Sequence, residues 1–218
     1  MCESRTAYYK RMKALARQVR AEYELNTPRV TRSELRKIYR KEGIRVDLWP
    51  PKPHSNGRPR GRTLRSLRGA YFNDDLGPSV LIARHLPEDP RVFTMAHELK
   101  HHRVDNHLVC VVCDTSNENE MIEIGAEVFA AELIFPEVDF VNLLGELGVS
   151  IGDCQPKHLV QLKRETRTTL SYTGLAKRAE FLELAPRGSL HGVHWKRLEE
   201  QIYGEPLYKR LRRPPRGE

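Results

Sequence analysis

The stretch RVFTMAHELKHHRVDNH, residues 91–107, decides how the rest of the chain is read. EDP precedes it, so Asp89 is expected to cap a helix with Pro90 at the first helical position, where a missing N–H costs nothing. On that helix His97 and His101 stand four residues apart, and both imidazoles project from one face toward one point. Two such nitrogens suit a borderline ion such as zinc. Glu98 lies beside the position a water would take, where its carboxylate can accept the water's proton, the general-base role in HExxH peptidases. A bare HExxH also arises by chance on a charged helix, so the third ligand carries the weight.

Two sources of that ligand lie downstream. His107 falls at the spacing of HExxHxxGxxH, but the Gly that pattern needs for its sharp turn is Val104 here, a β-branched residue that resists positive φ. The only methionine after the motif is Met121, and no Met-turn surrounds it. The segment NEMIEIGAEVFAAELIFP, 119–136, is the better source. Asn117 and Glu120 make a capping-box pattern before it, and a helix is expected over 118–134, ending before Pro136. Glu123 and Glu127 share a face of that helix, while Gly125, Ala126, Ala130 and Ala131 let a neighbour approach closely. A carboxylate from a second helix completes a His, His, Glu set with one open position, and Glu127, one turn on, is placed to hydrogen-bond a ligand histidine. The pair Cys110 and Cys113 in CVVC reads as a strand rather than a metal knuckle, with the thiols on opposite faces as buried apolar groups.

With 218 residues the chain has room for one sizeable domain and a small appendage. No apolar leader opens it and no run approaches eighteen apolar residues, which points to a cytoplasmic protein without a membrane span. Four cysteines are too few and too scattered for a disulfide scaffold. Net charge is +8, unevenly spread: residues 104–156 hold eleven Asp and Glu and no Lys or Arg, whereas 37 basic and 18 acidic residues lie outside, a net +19. The basic termini suit nucleic acid or an acidic protein, and the acidic block a cation or a basic peptide.

Around this centre, residues 4–24 read as a helix with Tyr8, Met12, Leu15, Val19 and Tyr23 inward. A second helix runs from the Thr31 to Glu34 capping box to Gly43, and Ile44 to Trp49 forms a short strand. A basic Gly/Pro loop follows over 52–68, then strands at Ala70–Asn73 and Ser79–Ala83 joined by the turn DDLGP, and a strand within HLVCVVC. Helices are expected at 137–146, 156–167, 171–184 and 193–203, before a disordered basic tail.

RVFTMAHELKHH followed by EIGAEVFAAELIFP resembles the ImmA/IrrE family of metallopeptidases, whose hallmark is close to RFTLAHELGH and then E-x-x-A-N-x-FAAELLMP. The resemblance is loose over 31–184 and specific over 91–136. It implies an α+β fold: a small zincin-like domain, a short sheet packed on the HExxH helix, followed by a helical segment of helix-turn-helix character. It further implies one Zn²⁺ per chain on His97, His101 and Glu123, with Glu98 as general base. TLSYTGLAKRAEFL is similar to that family's VS-x-x-A-x-x-x-RL stretch, at Leu170, Ser171, Leu175 and Arg178. Family members cleave or regulate helix-turn-helix repressors, so a restricted endopeptidase acting on such a repressor is the expected function. A DNA-associated regulator or toxin–antitoxin partner with a structural or vestigial metal site is the alternative. Three positions depart from the pattern: Lys100 for Gly, expected to be harmless on an exposed helix face; Gly125 where Glu is frequent; and Glu127 for Asn. The corresponding domains are a basic helix at 1–30, the zincin-like domain at 31–146, helices at 147–205 and the tail at 206–218. Tyr71, His85, His158 and Tyr172 are candidates to stabilise an oxyanion.

Overall fold

The computed structural model describes residues 4–49, 68–113 and 120–206. Among them are eight helices and a four-stranded mixed sheet, an α+β arrangement compatible with a small zincin-like domain. The basic loop at 52–68 (apart from Arg68), most of the polar loop before the acidic helix with Asn117, and the tail beyond Pro206 lie outside the described residues. The chain forms two compact units, Met1–Asp139 with Thr168–Leu170, and Phe140–Arg167 with Ser171–Glu218.

In the first unit, α1 (Arg5–Glu22) starts where the Ser4 hydroxyl accepts the Ala7 N–H, and buries Tyr8, Met12, Ala16 and Val19. Leu15, expected inward, is only half-buried, whereas its neighbour Ala16 is fully buried. Helix α2 (Arg32–Lys41) carries the expected capping box: the Thr31 N–H donates to Glu34 at 2.7 Å, and the Glu34 N–H donates back to the Thr31 hydroxyl. Gly43, at φ +70, ends that turn.

The sheet runs β1-β3-β2-β4. β1 (Arg45–Trp49) is parallel to β3 (Gly77–Ala83), β2 (Gly69–Asp74) is antiparallel to β3, and β4 (Cys110–Cys113) is antiparallel to β2. The β2–β3 turn is tighter than DDLGP suggests. Asp74 pairs with Gly77, and the Asp74 carboxylate accepts the Leu76 N–H at 2.9 Å, so only Asp75 and Leu76 remain in the loop.

Helix α3 (Glu88–Val104) starts a little earlier than expected. Pro87 holds the N-cap position, so Asp89 is not the cap and Pro90 is the third helical residue. The first turn leaves N–H groups free in any case, so proline is tolerated there, and Glu88 and Asp89 face the positive end of the dipole. Helix α4 (Met121–Ile134) likewise begins later than residue 118, with Glu120 itself at the N-cap rather than at the third position of a capping box. Helix α1 packs along α4 through its small residues. A Cβ on Gly125 would collide with the Tyr8 ring, which accounts for glycine where the family pattern has a larger residue. The Arg20 guanidinium, also buried, donates to the carbonyls of Leu133 (2.7 Å) and Thr27 (2.8 Å), and Arg17 pairs with buried Glu132 at 2.8 Å.

The second unit gathers α6 (Pro156–Thr166), α7 (Tyr172–Phe181) and α8 (Trp195–Tyr203), with α5 (Glu137–Glu146) leading into it. Leu159, Val160, Leu162, Leu175 and Ala179 form its core, and Tyr172 stacks on Trp195 with ring centroids 5.1 Å apart. None of the described helices is long and apolar enough to cross a membrane.

Candidate metal centre

Helix α3 is buried on all sides from Thr94 to His101, an unbroken run that includes His97, Glu98, Lys100 and His101. A helix with polar residues so enclosed needs partners for them. The sheet, α2 and α4 surround this run, and the Tyr39 hydroxyl of α2 donates to the Met95 carbonyl at 2.5 Å.

His97, His101 and Glu123 of α4 meet at one point, each offering an atom within 4.8 Å of the others. His97 Nε2 lies 3.1 Å from Glu123 Oε2, and His101 Nε2 lies 3.6 Å from Glu123 Oε1. The other ring nitrogen of His101, Nδ1, stands 2.7 Å from Asp105 Oδ2. A carboxylate only accepts, so Nδ1 carries the proton and Nε2 turns a lone pair toward Glu123. Burial holds the His101 pKa below the usual 6.5 despite the Asp105 bond, so the imidazole is neutral near pH 7. The imidazoles of His97 and His101 and the Glu123 carboxylate, buried and converging, are a donor set that could hold a divalent metal.

Glu98 follows His97 on α3 and is wholly buried beneath β2. A Cβ on Gly69 would strike the Glu98 carboxylate and the Thr94 methyl, so glycine at that strand position leaves room for the acid. Burial, with the Glu98 charge second, raises the Cys110 thiol's pKa, which sets the carboxylate near the edge strand β4. Cys110 itself is exposed on that edge, a correction to the expectation that both CVVC thiols are buried: among the described residues β4 is the last strand of the sheet.

A family model described as the IrrE N-terminal-like domain, of peptidase family M78, matches residues 62–172, half of the chain. The chain belongs to the ImmA/IrrE metallopeptidase family. Membership carries a metallopeptidase-type activity, a protein substrate and dependence on a metal. The curated proteins give no match.

Several residues singled out in this ImmA/IrrE chain lie elsewhere. His107 is exposed in the turn after α3 and takes no part in the cluster. Glu127 is half-buried on α4 and bonds neither histidine; the carboxylate that holds His101 is Asp105. Asp105 carried a readable signal, since it follows His101 by the same four residues that separate the histidines. Lys100, expected on an exposed face, is 0% exposed. Its ammonium pairs with Asp105 Oδ2 at 2.6 Å and donates to the Ile122 carbonyl at 3.0 Å, because α4 and α1 cover the face a lone helix would turn to solvent. Of the oxyanion candidates, the Tyr71 hydroxyl pairs with His102 Nδ1 at 3.2 Å and His85 is exposed after β3. In the second unit His158 accepts the Gln155 N–H, and burial raises the Tyr172 pKa.

Proposed function

We propose that the protein is a zinc endopeptidase of restricted specificity whose substrate is a helix-turn-helix repressor. The buried convergence of His97, His101 and Glu123, with Glu98 buried one residue after His97, carries the reading. His97, His101 and Glu123 would hold the ion, which supplies Lewis-acid polarisation of the scissile carbonyl and a water of lowered pKa. Glu98 accepts the proton of the attacking water and passes it to the departing amine nitrogen. Asp105 fixes the ring of His101, and Gly69 keeps the space above the Glu98 carboxylate clear. Glu127, on the same helix as Glu123, remains a candidate for the wider hydrogen-bonding shell once a ligand is bound. Nucleic acid contact through the basic termini, supported by the charge distribution, and a cytoplasmic setting belong to the same reading.

Metal analysis tests the centre. The purified protein should hold about one zinc per chain. His97→Ala and Glu123→Ala should lower that content sharply, with His107→Ala and Cys110→Ser as unaffected controls. A site emptied by His107→Ala but not by Glu123→Ala would overturn the assignment.

A further inference from the structure

Lys100 has no part in the chemistry above, yet it is among the largest fully buried side chains of the fold. A lysine is enclosed at this depth only where its charge is compensated. Here the compensation is specific. Nζ stands 2.6 Å from Asp105 Oδ2, the same oxygen that takes the His101 Nδ1 proton at 2.7 Å. Two further contacts fix where the ammonium stands. It donates to the carbonyl of Ile122, the residue before Glu123 on α4, at 3.0 Å. It also lies 5.7 Å from the ring centroid of Tyr8, which α1 lowers into the gap left by Gly125. Three helices therefore meet on one side chain.

We propose that Lys100 is a positioning residue for the metal centre: anchored by Ile122 and Tyr8, it holds the Asp105 carboxylate, and through it the ring of His101, in line with Glu123. The inference rests on the reading of His97, His101 and Glu123 as ligands. An unanchored Asp105 could rotate and carry the imidazole with it, and an ion bound by few ligands is sensitive to the direction of each lone pair.

The test is metal affinity, read by competition with a chelating indicator on stripped protein reloaded with zinc. It compares the unsubstituted chain, Lys100→Met, Asp105→Asn and the double variant. Lys100→Met should weaken binding about 10- to 100-fold, the range for residues that orient ligands. Added to Asp105→Asn it should cost less than about twofold more, because its effect runs through Asp105. The visible spectrum of the cobalt-loaded Lys100→Met protein should shift as the His101 ring turns, a change that loss of packing alone would not produce. Where Lys100→Met does not fold, Lys100→Gln takes its place in the same comparison, and failure of both to fold refutes the positioning role. Equal affinity with and without Lys100, or an equal loss in both backgrounds, overturns it too. Zinc binding by the unsubstituted chain and its loss in His97→Ala are measured alongside. If the unsubstituted chain binds no zinc, the metal-centre reading fails; if it binds zinc and Lys100→Met binds it as tightly, only the role of Lys100 fails.

Discussion

At the scale of single residues, Glu98 and His101 make opposite demands on solvent. Both are fully buried, and in the proposed reading Glu98 must take a proton, whereas His101 must stay without one. Glu98→Gln keeps the shape of the side chain and removes its basicity. The variant should retain its metal and fold while peptidase activity falls by about two to four orders of magnitude, the usual worth of a general base. Metal analysis and peptidase assay on one sample decide this, and retained activity would exclude Glu98 as the base. For His101, the folded-state pKa lies below the usual 6.5 because burial disfavours the imidazolium. The unfolded chain therefore binds more protons than the folded one as pH falls below 6.5. This contribution to stability is complete above that pH and is lost as pH falls toward the depressed folded value. Chelator-treated protein should lose denaturant resistance as pH falls below about 6.5, with a shallower slope in His101→Gln. A flat profile over that range would contradict it. Asp105, held down by its bonds to His101 and Lys100 against the opposing effect of burial, gives a second loss at more acid pH.

At the scale of elements, much of the fold was legible. The capping box at Thr31 and Glu34, the alternation of β1 and the apolar run of α4 are local signals, and local physics settles them. The three donors were legible for a related reason: a four-residue repeat on one helix fixes two, and an acidic turn within an apolar helix suggests the third. The environment of Lys100 and Cys110 depends on what covers them, which no window of sequence encodes. Lys100 is enclosed by α4 and α1, and Cys110 is exposed because β4 ends the sheet. Contact between α1 and α4 depends on Gly125 in the same non-local way. Gly125→Ala gains helix propensity of about 1 kcal/mol but drives a methyl into the Tyr8 ring. Overpacking of this kind costs about 1–3 kcal/mol, so net destabilisation of up to about 2 kcal/mol is expected. Tyr8→Leu in the same background should recover part of it. Urea midpoints of the four proteins measure the coupling, and additive effects would show that the two side chains do not share the contact.

At the scale of the whole molecule, charge is where sequence and structure weigh differently. The block 104–156 reads as uniformly acidic, a surface to draw in a basic arm of a DNA-binding protein. Yet Asp105, Glu123 and Glu132 are buried, and Glu137 is paired with Lys13. Those carboxylates are committed to Lys100, to the donor cluster and to the basic face of α1, and they add little to a field felt at a distance. Glu120, Glu146 and Asp153 remain exposed. Steering of a basic partner is therefore weaker than the count of eleven suggests. Cleavage of a cognate repressor should slow by about tenfold between low salt and 1 M, the lower end of what steering supplies. The Debye length shrinks from about 10 Å at 0.1 M to about 3 Å at 1 M over the same change. Casein and other unstructured proteins should be poor substrates, because restricted specificity requires binding energy that an arbitrary segment does not supply. Incubation with candidate repressors from the same genome, with and without chelator and across a salt series, tests substrate class and steering together. Chelator-sensitive cleavage of a repressor that slows with salt is the expected result. Ready degradation of casein with every repressor left intact would exclude the regulatory role, and salt-independent cleavage of a repressor would exclude the steering alone.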